Sequence, residues 1–233
     1  MATPKYNLSK LKGKLIAIDG PAGSGKSTTA RMVAEKLGFV YLDTGAMYRA
    51  VTLFAMRNGV SLDDENALAQ IASRLPIEFK SDDDVQRVLV KGEDVTDEIR
   101  TPEVTKNVSK VSAYKGVREA MVAKQREIGK NGSIVAEGRD TTTVVFPDAD
   151  VKVYMEASTR ERAQRRLLDL AKLGVTTTVD DQEEAIVRRD KYDSGREHSP
   201  LTRSRDAYVI DTTNVTIEEQ VERVIQLILS TLK

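Results

Sequence analysis

Short apolar runs that end on polar or glycine residues recur along this chain, and between them the apolar positions return at helical spacing. Lys14–Asp19 (KLIAID) is the first such run. It is β-branched, stops at Gly20 and reads as a buried parallel strand. Ala30, Val33, Ala34 and Leu37 then mark one helix face, with Gly38 as its C-terminal stop. Phe39–Leu42 reads as a second strand, and Ala46–Arg57 as a helix ending before Gly59. Strand, loop, helix, strand is the crossover unit of α/β folds.

Residues 77–98 break the rhythm. Val85, Val88 and Val90 are set among turn-forming stretches, Ser81–Asp84 and Lys91–Asp94, which predicts a small antiparallel insertion. Thr101 and Pro102 follow as a cap and first helical position, and Val104, Val108 and Val111 continue at helical spacing. A further helix is expected from about Val117 to Ile128. The α/β pattern returns with Ser133–Ala136, Val151–Met155 and Tyr208–Asp211. Ser158 with Glu161, and Thr216 with Glu219, have capping-box spacing; Ile217, Val221, Val224 and Ile228 give the last helix an apolar stripe. The fold class is therefore α/β, with a sheet of five parallel strands and one inserted module.

Composition removes several function classes. Lys+Arg equals Asp+Glu at 36 each, so the basic excess of a general nucleic-acid binder is missing. There is no cysteine, hence no disulfide, thiolate metal site or cysteine nucleophile, and the single His198 builds no histidine cluster. No apolar run nears the roughly 20 residues of a membrane span, and the first residues lack the apolar stretch of a signal peptide. The expected location is the cytoplasm, with no membrane and no nucleic-acid partner, and the expected state is a monomer.

Gly20-Pro21-Ala22-Gly23-Ser24-Gly25-Lys26-Ser27 fits G-x-x-x-x-G-K-[ST], between a strand and a helix. Its glycines let backbone N–H groups turn inward on a phosphate, and the helix opening near Lys26 adds its positive end. Lys26 suits the β/γ oxygens and Ser27 suits Mg²⁺. A chance glycine-rich turn would have no reason to occupy that setting. The motif establishes nucleotide binding and leaves two readings open: a nucleotide-driven switch or ATPase, or a small-molecule kinase. A kinase needs a second anion site built mostly from arginines. Candidates stand in LDTGAMYR (42–49, Arg49), VRE (117–119, Arg118), AEGRD (136–140, Arg139 and Asp140), RRD (188–190) and DSGR (193–196). Taken alone, each arginine reads as a surface ion-pair partner, and Arg162, Arg165 and Arg166 as a solvated helix face. Strand ends of an open parallel sheet converge on one crevice, so Arg49 and Arg139 are expected near the phosphate loop.

In order along the chain, IDGPAGSGKST, LDTGAMYRA, GEDVTDEIRTPEV, VRE, GRD, VVFPDADVKVYMEAS, ERAQRR and SPL…DAYVIDTT resemble bacterial cytidylate kinase, from about Leu15 to about Leu229. GEDVTDEIRTPEV and the insertion before it are the specific part. The resemblance implies a P-loop NTPase three-layer fold in a single domain, 1–233. Its core would be about 14–42, 107–157 and 205–233, the monophosphate-binding region with the insertion about 43–106, and a short lid about 158–196. It implies transfer from ATP to CMP or dCMP with Mg²⁺. It places the loop from Gly20 to Thr28, with Arg162 and Arg166 of the lid, on ATP. Arg49, Arg139 and Arg189 would hold the acceptor phosphate with Thr44 near it. Ser109, Arg118 and Asp140 would meet the cytosine edge and Asp193 the sugar. Lys26, Arg139, Arg189 and Arg196 would serve the transferring group. Taken alone, Ser109 reads as a helix-surface serine. Glu137 stands where the family often has Asp, and Thr141-Thr142 replaces an apolar residue and Gly, which bears on how Asp140 meets the base.

Overall fold

The computed structural model describes residues 9–82, 85–172 and 174–232. Asp83 and Asp84 of the expected Ser81–Asp84 turn, and the first eight residues, lie outside these. In chain order the elements are β1 (Leu15–Asp19), α1 (Lys26–Leu37), β2 (Val40–Asp43), α2 (Thr44–Arg57) and α3 (Glu65–Arg74). There follow β3 (Ile77–Asp82), β4 (Val85–Val90), β5 (Glu93–Asp94), α4 (Pro102–Val111) and α5 (Lys115–Gly129). Then come β6 (Ile134–Gly138), a wide helical turn (Thr141–Val145), β7 (Val151–Glu156), α6 (Thr159–Lys172), α7 (Val179–Ser194), β8 (Tyr208–Asp211) and α8 (Ile217–Thr231).

The strands form two sheets. One has five parallel strands in the order β2-β6-β1-β7-β8; the other is the antiparallel insertion β3-β4-β5. Alternation along the parallel strands feeds two cores. Ile16 and Ile18 of β1, Val135 of β6 and Val151, Val153 and Met155 of β7 pack with Val33 of α1 and Val224, Ile225 and Ile228 of α8. Ile134 and Ala136 of β6, with Leu42 of β2, face the other way onto Met47 of α2, Val108 of α4 and Met121 of α5. A strand can be apolar on consecutive residues only when both faces are covered, and here they are. Because β6 and β7 flank β1, the loop leaving β1 opens between two strands whose own C-terminal ends lie beside it.

The structure shifts several expected boundaries. Phe39 is not in a strand. Gly38 turns left-handed (φ 65°), and the Phe39 N–H donates to Ala34 O at 2.8 Å, closing α1 before β2 begins at Val40. The strand expected at Ser133 starts one residue later and runs through Glu137 and Gly138, both buried. Helix α3, capped by Asp64 on Ala67 N, was not foreseen. Ile217 lies 43% exposed and Ile225 takes its place in the buried stripe. Of the two expected capping boxes, Thr216/Glu219 forms in both directions. Ser158 accepts from Glu161 N, but the Glu161 carboxylate goes to Arg165 instead of back to the cap. A reciprocal box that the sequence reading passed over, Thr178/Asp181, starts α7. Thr101 sits at the N-cap of α4 but gives its hydroxyl to Glu98 O.

Because α8 buries four aliphatic side chains, its cap is coupled to global unfolding. Thr216→Ala should lower the unfolding free energy by about 1 kcal/mol. In urea melts the midpoint should fall with the slope unchanged; an unmoved midpoint would contradict this role for the cap.

Candidate functional site

The C-terminal ends of β2, β6 and β1 open on a cleft of about 900 Å³. Its floor is the glycine-rich loop. Gly25 caps α1 at φ 85°, and a Cβ there would stand 2.6 Å from Gln220 Oε1, so both its backbone angle and the close approach of α8 demand glycine. Lys26, the first residue of α1, is buried and donates to Pro21 O at 3.3 Å. Its ammonium lies 3.8 Å from the Glu137 carboxylate, and Ser27 Oγ donates to Glu137 Oε1 at 2.7 Å. Burial, then Arg139, push Lys26 down to about 8 against the opposing pull of Glu137. Burial, then Asp43, raise Glu137.

A wall of guanidinium groups faces the loop. Arg49 comes from α2, Arg139 from the end of β6, Arg166 from α6, and Arg189 and Arg196 from α7 and just beyond it; all line the cleft. Their hub is Asp193 of α7, 1% exposed. Its Oδ2 accepts from Arg139 Nε at 3.0 Å and lies 3.8 Å from Arg189 Nε; its Oδ1 pairs with Arg196. Burial alone would raise the Asp193 carboxyl, but Arg139, Arg196 and Arg189 outweigh it and hold the group below its usual range. The cations are under-compensated. Burial and the neighbouring Arg139 lower Arg189. Burial lowers Arg49, with Arg100, Arg166 and Arg139 adding to it against Asp43. Guanidinium groups stay protonated at neutral pH, so these directions register lost hydration first and unrelieved repulsion second.

Beyond this wall lies a buried pair from different elements. Arg118 of α5 pairs with Asp140 and donates to Ser112 O at 2.9 Å, and its guanidinium stacks 5.1 Å from the Tyr48 ring. Ser109, half-buried on α4, lines the cleft beside them.

Of the residues singled out in the sequence, the cleft brings together Ala22, Gly23, Gly25, Lys26, Ser27, Thr28, Thr44, Arg49, Ser109, Arg118, Arg139, Asp140, Arg166, Arg189, Asp193 and Arg196. Gly20, Pro21 and Ser24 shape the loop without lining the cleft. Arg162 corrects the expectation of a solvated helix face and of a group facing the reaction. It is buried, donates to Ala22 O at 3.1 Å and Ala157 O at 3.0 Å, and pairs with Asp190 at 2.7 Å, bracing the loop from behind. Arg165, set aside as solvated, lines the cleft and donates to Gly23 O and Thr212 O. Thr44 gives its hydroxyl to Glu137 O at 2.7 Å. Sequence reasoning missed Asp43, which caps α2 on Ala46 N and pairs with Arg100 at 3.3 Å, and Asp19, buried under the turn after Asp140. The signal was available: Asp19, Asp43 and Glu137 each stand at the polar end of a strand.

Comparisons with known proteins agree with this geometry. The family model described as Cytidylate kinase matches residues 16–230. A cytidylate kinase of Geobacter sp. (strain M21) is 48% identical over 210 residues, 90% of each chain. One of Lactobacillus gasseri is 49% identical over 213 residues, 91% of this chain and 93% of its own. Among solved structures, shikimate kinase from Acinetobacter baumannii aligns over 96% of this chain and 98% of its own, with 18% identity and a TM-score of 0.51, a likeness of fold alone.

Removing the hub should expose the repulsion. Asp193→Asn leaves Arg139, Arg189 and Arg196 without their shared counter-charge and should cost about 3–5 kcal/mol of stability. Inorganic phosphate should raise the melting temperature of the variant more than that of the parent. Equal melting temperatures without phosphate would contradict the hub.

Proposed function

We propose how this cleft works from one premise: the chain belongs to the cytidylate kinase family and phosphorylates CMP and dCMP. The glycine-rich loop and Lys26 hold the β and γ phosphates of ATP. Arg49, Arg139 and Arg189 hold the acceptor phosphate, with Arg166 and Arg196 completing the positive wall around the transferring group. What carries this reading is that the phosphate-loop lysine and the guanidinium cluster share one cleft, where burial and then Arg139 and Arg189 lower the proton affinity of Lys26. Two anions brought together there relieve that repulsion, and the electrostatic work of transfer is done by groups fixed in advance. The attacking oxygen already belongs to an anionic phosphate, so no general base is needed. Residues 158–196 serve as the lid whose closure excludes water, in a monomer acting in the cytoplasm. No helix among the described residues is long and apolar enough to cross a membrane.

The residues fit Mg²⁺. Ser27 Oγ and the Glu137 carboxylate are hard oxygen donors 2.7 Å apart, and Glu137 is raised by burial and then by the nearby Asp43, a condition a cation relieves. Ser27 would hold the ion with Glu137 behind it. When bound, Mg²⁺ neutralises charge on the donor phosphates.

Cytosine offers an N4 amino donor beside its N3 and O2 acceptors. Asp140 accepts from the amino group, while Arg118 and Ser109 donate to the ring. Asp193, expected at the sugar, has both carboxylate oxygens engaged by arginines, so its part in this reading is to hold them.

With ATP and a panel of monophosphates, ADP release should favour CMP and dCMP. UMP turns an acceptor toward Asp140 and should be used about 10- to 100-fold less efficiently, the equivalent of ~1–3 kcal/mol. Preference for AMP, GMP or dTMP, or ATP turnover indifferent to any monophosphate, would overturn the reading. Asp140→Ala should weaken CMP use far more than ATP binding.

The bound triphosphate favours the ammonium form of Lys26 and so raises its proton affinity from about 8. Binding of Mg·ATP should then take up protons at about pH 9, where the free lysine is largely neutral, and far fewer at about pH 7, where it is already charged. Calorimetry in buffers of different ionisation enthalpy reads this directly. Equal uptake at the two pH values would contradict it.

A further inference from the structure

We propose that Asp19 and Thr142 are positioning residues for base recognition, an inference that rests on the reading of the cleft as a CMP site. Asp19 is the last residue of β1, immediately before the phosphate loop, and is fully buried. No cation pairs with it among the described residues. Its carboxylate is met by donors alone: Thr141 N at 2.8 Å on Oδ1, and Thr142 N at 2.7 Å and Thr142 Oγ1 at 2.6 Å on Oδ2. The first two amides of the Thr141–Val145 turn are thus capped from the neighbouring strand. The same turn is closed on Asp140, whose carbonyl accepts from Val144 N at 2.8 Å and Val145 N at 3.1 Å. Asp140 is therefore gripped on the side of its carbonyl and by the two residues that follow it. Its side chain is left one course, toward Arg118.

Thr142 is the distinctive member of this group. The resemblance expects glycine there. A glycine could keep the amide bond to Asp19 but has no hydroxyl, and it would leave the backbone after Asp140 freer to rotate. In this chain the position is a threonine, fully buried, whose hydroxyl makes the shortest of the three bonds to Asp19. Its χ1 is stiff because it is β-branched. The threonine that departs from the family pattern is thus the device that fixes the turn beside the base. A buried carboxylate whose partners among the described residues are these three donors holds them strongly, since any rotation of the 140–142 backbone strands its charge.

Two variants test this. Thr142→Val keeps shape and burial and removes only the hydroxyl. It should raise KM for CMP about tenfold and narrow the CMP-over-UMP preference, with KM for ATP within about twofold; Thr142→Ser should restore both. Asp19→Asn turns an amide N–H toward one set of donors and should act in the same direction more strongly. If Asp19→Asn fails to fold, Thr142→Val decides alone. A merely structural bond would lower the melting temperature and leave the CMP-to-UMP ratio unmoved. An unmoved ratio, or KM values for ATP and CMP rising in parallel, overturns the proposal. A parent enzyme with no preference for CMP would instead overturn the reading of the cleft.

Discussion

Repulsion among cations crowded at the open end of the parallel sheet is the constraint around which the rest of the chain is arranged. Lys26, Arg189 and Arg49 each lose water on folding, and Arg139 adds to that loss in lowering the proton affinity of all three. In the unfolded chain they are hydrated and far apart. Folding therefore works against itself here, and the opposing charge comes from few groups: Asp193 among the arginines, Glu137 beside Lys26, Asp43 beside Arg100. That is why α7 has to pack where it does. It delivers Arg189 and Asp193 one turn apart on one face, so the cation arrives with its partner. The remaining imbalance belongs to the substrates in the proposed reading, and it ties the stability of the lid side to the presence of anions.

The parallel sheet answers the same constraint with carboxylates. β2 and β1 end on Asp43 and Asp19, and β6 between them carries Glu137 one residue before its end; the register sets Asp43 beside Glu137 and Asp19 beside Gly138. Each is used differently. Asp43 caps α2 and holds Arg100, Glu137 takes Ser27 and Lys26, and Asp19 takes the turn after Asp140. A parallel sheet covered on both faces leaves its strand ends as the open ground for polar chemistry, and the loops that follow need fixed acceptors to hold one shape. Gly138 shows how tightly this ground is filled. A Cβ there would lie 2.4 Å from Thr141 Oγ1 and 2.5 Å from Thr44 Oγ1.

What the sequence disclosed followed from local rules. The five strands, the phosphate loop, the inserted hairpin and the helices carrying Val33, Val108 and Val224 were legible because burial on a regular element leaves a period of two or near four. The misreadings arose where a partner outside the hydrophobic pattern decided the outcome. Phe39 looks like strand residue and is spent closing a helix. Glu161 has capping-box spacing, but Arg165 four residues on competes for its carboxylate. Arg162 has the composition of a solvated face, and its burial depends on the loop carbonyl of Ala22, 140 residues away. Glu137 was noticed only as a departure from a pattern, because nothing local says that Ser27 lies against it. Helix α3 carries only two fully buried residues, Leu68 and Ala72, too few to stand out as a stripe.

Arg139 and Asp140 are consecutive, and their side chains part company: one goes to Asp193, the other to Arg118. In the proposed reading, one stretch of backbone therefore sets both how the acceptor phosphate is aimed and how its base is read. A base that meets Asp140 badly can be accommodated only by moving that residue, and the movement is passed through one peptide bond to the guanidinium that aims the phosphate. Discrimination of this kind acts on the alignment of the reacting oxygens as well as on binding, which is where a kinase with a weakly discriminating pocket gains selectivity. The carboxylate of Asp19 underlies both, because it fixes the turn that follows the pair from the strand that also launches the phosphate loop. Donor site, acceptor phosphate and base are thereby referred to one buried strand end, and a sheet strand is the stiffest part of the fold to refer them to.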